Sequence, residues 1–98
     1  MTVRLAVLIT TNPGMGSQQI EAFAELVPIV RAEQGCIQYD LHQVVGEPDQ
    51  FVVLELWESH EDLAAHASSP HMAAAAATAG AYRSAPAQIL ELSHDPLV

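Results

Sequence analysis

The chain has 98 residues, a formal net charge of −9 and one cysteine. A chain of this length is expected to form a single domain over residues 1–98, and its lone Cys36 excludes an internal disulfide, which fits a reducing, cytoplasmic compartment. The three strong cations argue against binding to nucleic acid or to a membrane, and the apolar run LAVLI is too short for a signal peptide or a membrane span.

Alternating apolar residues near the N-terminus predict a first strand of about eight residues. One face of this strand carries Val3, Leu5, Val7 and Ile9, and the other face carries Arg4, Ala6, Leu8 and Thr10. The turn-forming segment Asn12-Pro13-Gly14 ends this strand, and Asn12 is one of the candidate substrate-binding residues.

The next segment predicts an amphipathic helix from Ser17, as N-cap, to about Glu33. Apolar residues recur there with helical spacing at Ile20, Phe23, Val27 and Val30. Pro28 removes one backbone hydrogen bond inside this helix, so we expect a bend at that point. Gly35 then suits a left-handed helix end.

Cys36 to Val45 predicts a second strand. One face of this strand carries Ile37, Tyr39 and Leu41. The turn residues Gly46-Glu47-Pro48-Asp49 are expected to join it to a third strand as an antiparallel hairpin. Symmetric pairing about this loop would place Tyr39 near Trp57.

The segment from Phe51 to His71 organises the rest of the chain. Its first half alternates as a strand, with Phe51, Val53, Glu55 and Trp57 on one face and Val52, Leu54 and Leu56 on the other. Glu55 stands out, because a carboxylate in an apolar layer must be paired, hydrogen-bonded or protonated. Ser59 and Asp62 then have the spacing of a helix start, and His66 falls on the inner face of that helix.

A break at Ser68-Ser69-Pro70 starts a further, alanine-rich helix, and Gln88 to Ser93 predicts a last strand. The order β-α-β-β-α-β, with the second helix split in two, predicts a ferredoxin-like α+β fold. In that fold the helices cover one face of a four-stranded antiparallel sheet. The uncovered face, with Val52, Leu54 and Leu56, would meet water, so we expect a symmetric homodimer.

Four side chains are expected to converge between the sheet and the helices: Tyr39, Glu55, Trp57 and His66. A purely structural role stays open for three of them. Trp57 can be a core aromatic, His66 can form a hydrogen bond to a backbone carbonyl group, and Glu55 can point to a solvated edge of the dimer. Glu55 is the strongest signal, and His66 is its candidate partner.

A metal site is not predicted, although His60, His66 and His71 lie close together in the sequence. Pro70 interrupts the helical register between them, and no second carboxylate or cysteine lies at ligand spacing. Cys36 begins a strand among apolar residues, so we expect an inert thiol. The sequence contains no glycine-rich phosphate-binding loop, no dinucleotide-binding glycine motif and no G-x-S-x-G nucleophile motif. Their absence argues against nucleotide- or serine-based chemistry.

Three segments together resemble the antibiotic biosynthesis monooxygenase family, close to its quinol monooxygenase branch. They are EQGCIQY from Glu33 to Tyr39, ELWES from Glu55 to Ser59 and AAHASSPHM from Ala64 to Met72. The resemblance extends over essentially the whole chain. It implies a dimeric α+β barrel with a pocket between sheet and helices in each subunit, and a reaction with O2 that uses neither metal nor flavin.

The resemblance also implies roles for individual residues. Trp57 and His66 match pocket residues of the family, and Tyr39, Glu55 and His71 match recurrent motif positions. Haem-degrading members have a tryptophan at the position of His66 and a haem-ligating histidine about ten residues later, where this chain has Ala76. We therefore expect that this protein binds no haem.

These observations predict a cofactor-independent monooxygenase of a quinol, phenol or polyketide-like aromatic. His66 would deprotonate the substrate, because an electron-rich anion can donate an electron to O2, while Glu55 orients the imidazole and Trp57 forms a wall of the pocket. The candidate substrate-binding residues are Tyr39, His71 and Asn12. Two alternatives stay open: an oxygen-independent isomerase of a small carbonyl compound, and a non-catalytic dimer that binds a small molecule.

Overall fold

A four-stranded antiparallel sheet with helices on one face forms the fold of the computed structural model, which describes residues 1–98. The strands are β1 (Val3–Thr10), β2 (Cys36–Val44), β3 (Glu47–Trp57) and β4 (Gln88–Leu92). The helices are α1 (Gly16–Arg31), α2 (His60–Ala67) and α3 (Pro70–Ala79). The strands lie in the order β2-β3-β1-β4, which confirms the predicted ferredoxin-like α+β fold.

The core lies between the sheet and α1. Each inward residue of β1 faces an inward residue of β3, from Val3 opposite Trp57 to Ile9 opposite Phe51. The predicted inner set of β3 is confirmed, because its side chains are buried together with their partners on β1. The buried apolar cluster comprises Val3, Leu5, Val7, Ile9, Phe23, Leu26, Val30, Tyr39, Phe51, Val53 and Trp57.

The start of α1 differs from the prediction. The helix begins at Gly16, and Ser17 is not its cap. Asp49 of β3 takes that role, since its carboxylate accepts hydrogen bonds from the backbone N–H groups of Gly14 and Gly16, both at 3.0 Å. A residue distant in sequence therefore satisfies helix donors that a local serine was expected to satisfy.

The buried face of α1 is also rotated from the predicted one. Gln19, Phe23, Leu26 and Val30 are buried, while Ile20 is 47% exposed. The buried residues still have helical spacing, but one of them is a glutamine. A prediction based on apolar residues alone therefore chose the wrong face of α1. The helix continues through Pro28, and the bend expected there stays a prediction.

The hairpin of β2 and β3 forms as predicted, but its turn is shorter. The strands are joined at Val45-Gly46, where Gly46 has a φ of 82°, and β3 already begins at Glu47. Tyr39 consequently pairs with Glu55 rather than with Trp57. A register irregularity between Cys36 and Gln38 brings Cys36 opposite Trp57.

The two later helices begin as predicted. The side chain of Ser59 accepts a hydrogen bond from the backbone N–H of Asp62 at the start of α2, and Ser69 has the same role toward Met72 at the start of α3. The longest helix, α1, has 16 residues, and none of the three combines the length and apolar character needed to cross a membrane.

The helices leave the second face of the sheet uncovered. We call this the outer face; it carries Leu8, Val52, Leu54, Leu56, Leu90 and Leu92. Leu8, Leu54 and Leu90 are each 37–38% exposed. A continuous apolar surface of this kind is unusual on a monomer.

Candidate functional site

A cavity of about 330 Å³ opens between the inner face of the sheet and the three helices. Most of its lining is apolar and comes from β1, α1 and the alanine-rich α3. The polar lining side chains are few: Gln19, Tyr39, Glu55, His66 and Arg83. An apolar cavity with a few polar groups is the usual form of a small-molecule site.

His66 is held by a carboxylate from a different element. Its Nδ1 lies 2.7 Å from Oε2 of Glu33, which follows the end of α1, and the two side chains are only 5% and 15% exposed. A carboxylate can only accept, so Nδ1 carries the proton of the neutral ring and Nε2 keeps its lone pair. Nε2 has no hydrogen-bond partner in the chain, and it belongs to a ring that lines the cavity.

His71 binds the same carboxylate from the other side. Its Nε2 makes a hydrogen bond to Oε1 of Glu33 and lies 3.1 Å from the hydroxyl oxygen of Ser69. Ser69 in turn donates to the carbonyl oxygen of His66 at 2.7 Å. Glu33, His66 and His71 therefore form one cluster, in which both carboxylate oxygens of Glu33 are used.

Two aromatic side chains enclose the His66 ring. The ring centroid of Trp57 lies 4.6 Å from that of His66, and the centroid of Tyr39 lies 5.6 Å away in an edge-to-face arrangement. Tyr39 is itself stacked on Phe23 at 5.7 Å. These contacts fix the plane of the imidazole and supplement the hydrogen bond to Glu33.

Glu55 is buried in the cavity wall, as its place in the strand predicted, but its partner is not the predicted one. Trp57 Nε1–H donates to Glu55 Oε1 at 3.0 Å, and Glu55 makes no hydrogen bond to His66. The prediction that Glu55 orients the imidazole is therefore wrong, because Glu33 already occupies Nδ1. The other carboxylate oxygen of Glu55 has no hydrogen-bond partner in the chain.

Burial shifts the pKa values of two cavity residues. Desolvation raises the pKa of Glu55 above its ordinary value, and the hydrogen bond from Trp57 and the nearby His66 only partly oppose this rise. Desolvation, reinforced by the charges of Glu55 and Glu33, also raises the pKa of the Tyr39 phenol. Tyr39 therefore stays protonated at neutral pH and can donate a hydrogen bond into the cavity.

Three residues predicted from the sequence do not line the cavity. Trp57 is fully buried behind Glu55 and His66, so it supports the wall without forming its surface. His71 does not line the cavity, and its link to the site is the hydrogen bond to Glu33, the residue that holds His66. Asn12 lies at the end of β1, where its backbone N–H donates to the carbonyl oxygen of Tyr82 at 2.8 Å, and the cavity geometry does not support the predicted substrate contact.

The cluster of Glu33, His66 and His71 is also a possible set of metal ligands. One ligand atom from each residue lies within 4.8 Å of the others. Two imidazoles and one carboxylate suit zinc or ferrous iron. The sequence argument from ligand spacing missed this cluster, because Glu33 is distant in sequence from both histidines and reaches them only through the fold.

Sequence reasoning missed three polar residues of the site: Glu33, Gln19 and Arg83. Gln19 is fully buried on α1, and its Oε1 accepts a hydrogen bond from Arg83 Nε at 2.9 Å. Burial of an amide on the inner face of an amphipathic helix is the one signal that could have pointed to Gln19. Nothing near Arg83 in the sequence distinguishes it from a surface arginine.

The site can therefore transfer protons in a largely apolar cavity. It offers an imidazole nitrogen with a free lone pair, a carboxylate oxygen without a partner and a protonated phenol. The ring that would accept the proton is held in one tautomer by Glu33, and an imidazolium formed on it would be stabilised by the same carboxylate.

Comparisons with known proteins identify relatives of this chain. The family model described as "Antibiotic biosynthesis monooxygenase" matches residues 2–78. The Escherichia coli K12 protein named "Probable quinol monooxygenase YgiN" is 40% identical over 76 residues, which cover 67% of this chain and 73% of that protein. YcnE of Bacillus subtilis 168, provisionally named a monooxygenase, is 31% identical over 86 residues, covering 88% and 90% of the two chains.

A solved structure shows the same fold. The crystal structure of PA3566 from Pseudomonas aeruginosa superimposes with a TM-score of 0.88 at 28% sequence identity, over 97% of this chain and 95% of that chain.

Proposed function

Because this chain belongs to the antibiotic biosynthesis monooxygenase family, we propose that it oxidises a quinol, phenol or polyketide-like aromatic with O2 and without a metal or organic cofactor. The observation that carries the proposal is the His66 ring, whose Nδ1 is held by Glu33 and whose Nε2 has no partner in the cavity. That arrangement suits a general base toward an aromatic hydroxyl group.

The reaction begins with proton transfer from the substrate hydroxyl to His66 Nε2. The resulting anion donates one electron to O2, and the two radicals combine to form a C–O bond at a ring carbon that carries hydrogen. Loss of water breaks the O–O bond, so one oxygen atom stays on the ring as a carbonyl and the other leaves as water. The substrate supplies all four electrons, and no external reductant is needed.

The cavity residues support the individual steps of this reaction. The apolar lining excludes water, which protects the anion and the peroxide. Tyr39 donates a hydrogen bond to an oxygen of the ring, and the free oxygen of Glu55 can receive the ring C–H proton as the carbonyl forms. Trp57 is a positioning residue, because it holds the other oxygen of Glu55.

Oxygen uptake tests the proposal directly. The protein would be mixed with a panel of hydroquinones, naphthols and anthrone-like polyketides, and mass spectrometry would follow one atom of 18O2 into the quinone product. His66→Ala should lower turnover by roughly 10²- to 10⁴-fold, the usual contribution of a general base. His60→Ala is the matched control, because His60 is an exposed histidine of the same helix that pairs with Glu91.

Two outcomes would contradict the proposal. Unchanged turnover in His66→Ala, with a lowered melting temperature, would leave His66 a packing residue. Turnover that disappears on treatment with a chelator and returns with one added metal ion would show that the Glu33, His66 and His71 cluster works as a metal centre.

A proton-transfer isomerase is a second candidate, favoured by the two proton-accepting atoms that face the cavity on Glu55 and His66. Such an enzyme would shift a double bond in a small carbonyl compound without O2. Turnover that persists under argon would support the isomerase and exclude the oxygenase. Binding of aromatics without turnover in either atmosphere would instead indicate a binding module.

We further propose that the protein works as a symmetric homodimer in which a second copy covers the outer face. The support is the apolar surface that the helices leave open across β3, β1 and β4. Three leucines of this face, Leu8 on β1, Leu54 on β3 and Leu90 on the edge strand β4, are each more than a third exposed. Face-to-face packing of two such sheets would bury them.

A further inference from the structure

The end of the cavity opposite Glu55 contains a second polar group that the proposed reaction does not use. Arg83 lies directly after α3, and its backbone is fixed by a β-bridge to Thr11, just beyond β1. Glu55 faces Leu5, near the start of the same strand. Six residues along β1 separate the two backbone positions, roughly 20 Å of extended chain, so the acidic and the basic side chain enter the cavity from different ends.

Arg83 is a cation without an anionic partner. Of the three arginines, Arg31 pairs with Asp40 at 2.7 Å and Arg4 lies on the outer face, whereas Arg83 lines the cavity and forms no ion pair. Its only side-chain hydrogen bond goes from Nε to Gln19, which leaves both terminal amino groups free. Burial lowers the pKa of Arg83 from its ordinary value, because desolvation disfavours the charged form.

Gln19 adds an unsatisfied donor beside this cation. Arginine cannot accept a hydrogen bond, so the oxygen of the Gln19 amide must face Arg83 Nε, and the orientation of the amide is settled. The amide nitrogen Nε2 is then buried without any partner, and it is the only buried side-chain nitrogen or oxygen in the chain in this state. An unmade hydrogen bond of this kind is costly in a free protein and is expected where a ligand supplies the acceptor.

We propose that Arg83 and Gln19 form an oxyanion site that selects aromatic substrates bearing an anionic oxygen group, either a carboxylate or the enolate of a hydroxyquinone. This inference rests on the proposed function, because it assigns the substrate class of the same cavity. The two free amino groups of Arg83 present the forked geometry that binds a planar oxyanion through two parallel hydrogen bonds. A substrate anchored there would extend its ring toward His66 and Glu55.

Direct binding tests the inference without relying on turnover. Isothermal titration would compare 2-naphthoate with 2-naphthamide, which has the same shape but no charge. The unmodified protein should bind the naphthoate at least about tenfold more tightly, since a charge-assisted pair is stronger than a neutral one. Arg83→Gln should abolish this preference, and Arg31→Gln, which removes an exposed arginine, should retain it. A preference that survives in Arg83→Gln would overturn the inference. So would equal affinities within this pair and also within the pair 2-hydroxy-1,4-naphthoquinone and 1,4-naphthoquinone.

Gln19→Leu separates ligand binding from a structural role. If the orphan amide serves a ligand, the variant should bind naphthoate less tightly while its melting temperature changes little, because removal of the unsatisfied donor Nε2 offsets the loss of the acceptor for Arg83 Nε. A lower melting temperature with unchanged naphthoate affinity would make Gln19 a structural residue and contradict its part in the site. Arg83→Lys, which keeps the charge but not the fork, provides a second variant and should retain only part of the preference.

A second pair of ligands and the turnover assay complete the test. Comparing 2-hydroxy-1,4-naphthoquinone with 1,4-naphthoquinone identifies the enolate as the oxyanion if only that pair shows the preference. Oxyanion preference in a protein without O2 turnover would sustain the site while the oxygenase proposal fails. Fast turnover of neutral quinols with no oxyanion preference would support the oxygenase proposal and contradict the oxyanion site.

Discussion

A carboxylate shared by two histidines can hold an imidazole in one tautomer while leaving its other nitrogen free. Glu33 has this position: Oε2 faces His66 Nδ1 and Oε1 faces His71 Nε2. A glutamine in its place has one acceptor and one donor, so it can satisfy only one of the two N–H groups. The neutral ring of His66 would then often carry its proton on Nε2, where it cannot act as a base.

Glu33→Gln should therefore lower oxygen uptake by about 10² to 10³, approaching the loss expected for His66→Ala. Nitrogen NMR of the labelled imidazoles should show the Nε2–H tautomer of His66 in the variant and the Nδ1–H tautomer in the unmodified protein. Glu25→Gln, an exposed change on α1, should leave both measurements unaltered. An unchanged tautomer in Glu33→Gln would disprove this role.

Glu55 should make stability depend on pH, since its pKa in the folded protein is raised by burial. A raised pKa means that the folded state binds the proton more tightly than the unfolded state does. The free energy of unfolding should then fall as pH rises from the ordinary carboxyl range to the folded pKa, by about 1.4 kcal/mol for each unit between the two values.

Glu55→Gln should remove this fall, because glutamine can still accept the hydrogen bond from Trp57 Nε1 but carries no charge. Urea denaturation between pH 4 and pH 8 would measure it, and Glu58→Gln is the matched control because Glu58 is the exposed next glutamate in the chain. A variant whose stability falls with pH as steeply as that of the unmodified protein would show that Glu55 is not the titrating group.

At the scale of elements, the connection between α1 and β2 positions the site. Gly35 has a φ of 81°, and its carbonyl oxygen accepts from the N–H of Glu58 at 2.8 Å, which ties the connection to the end of β3. A Cβ atom at Gly35 would overlap a carboxylate oxygen of Asp62 in α2. Glu33 lies two residues earlier, so displacement of this connection would also displace the partner of His66.

Gly35, between α1 and β2, and Gly46, between β2 and β3, both have positive φ and offer a matched pair of substitutions. Gly46 has a φ of 82° with open space around its Cα, so Gly46→Ala should cost about 1 kcal/mol of backbone strain. Gly35→Ala should lower the free energy of unfolding by clearly more, because the clash with Asp62 adds to the same strain, and it should also reduce turnover. Equal losses in urea denaturation would show that Asp62 moves aside without cost.

At the scale of the whole molecule, the outer face determines the assembly. Leu54 lies at its centre, between Asp40 on β2 and Ala6 on β1, and Ala6 pairs in turn with Leu90 on β4. If two copies pack through this face, a charge at Leu54 would be buried without a partner.

Leu54→Glu should convert the proposed dimer to a monomer, at a cost of several kcal/mol in association free energy. Light scattering coupled to gel filtration would measure the mass. Val45→Glu places the same charge in the fully exposed turn and should leave the mass unchanged. A monomer at micromolar concentration in the unmodified protein would refute the dimer.

The sequence by itself determined the element order, the inner face of β3, the helix starts near Ser59 and at Pro70, and hence the ferredoxin-like fold. These features follow from periodicities and capping contacts within a few residues, so they can be read locally. Glu55 was recognisable for the same reason, as a carboxylate in an alternating apolar strand.

Only the tertiary structure decided which groups meet. Glu33 and His66 are 33 residues apart in sequence, and Gln19 and Arg83 are 64 apart. No local pattern contains these pairs, because they form only when α1 packs on the sheet beside α2 and the segment after α3. The same packing placed Trp57 behind the cavity rather than in its surface, because Glu55 and His66 lie between the indole and the open space.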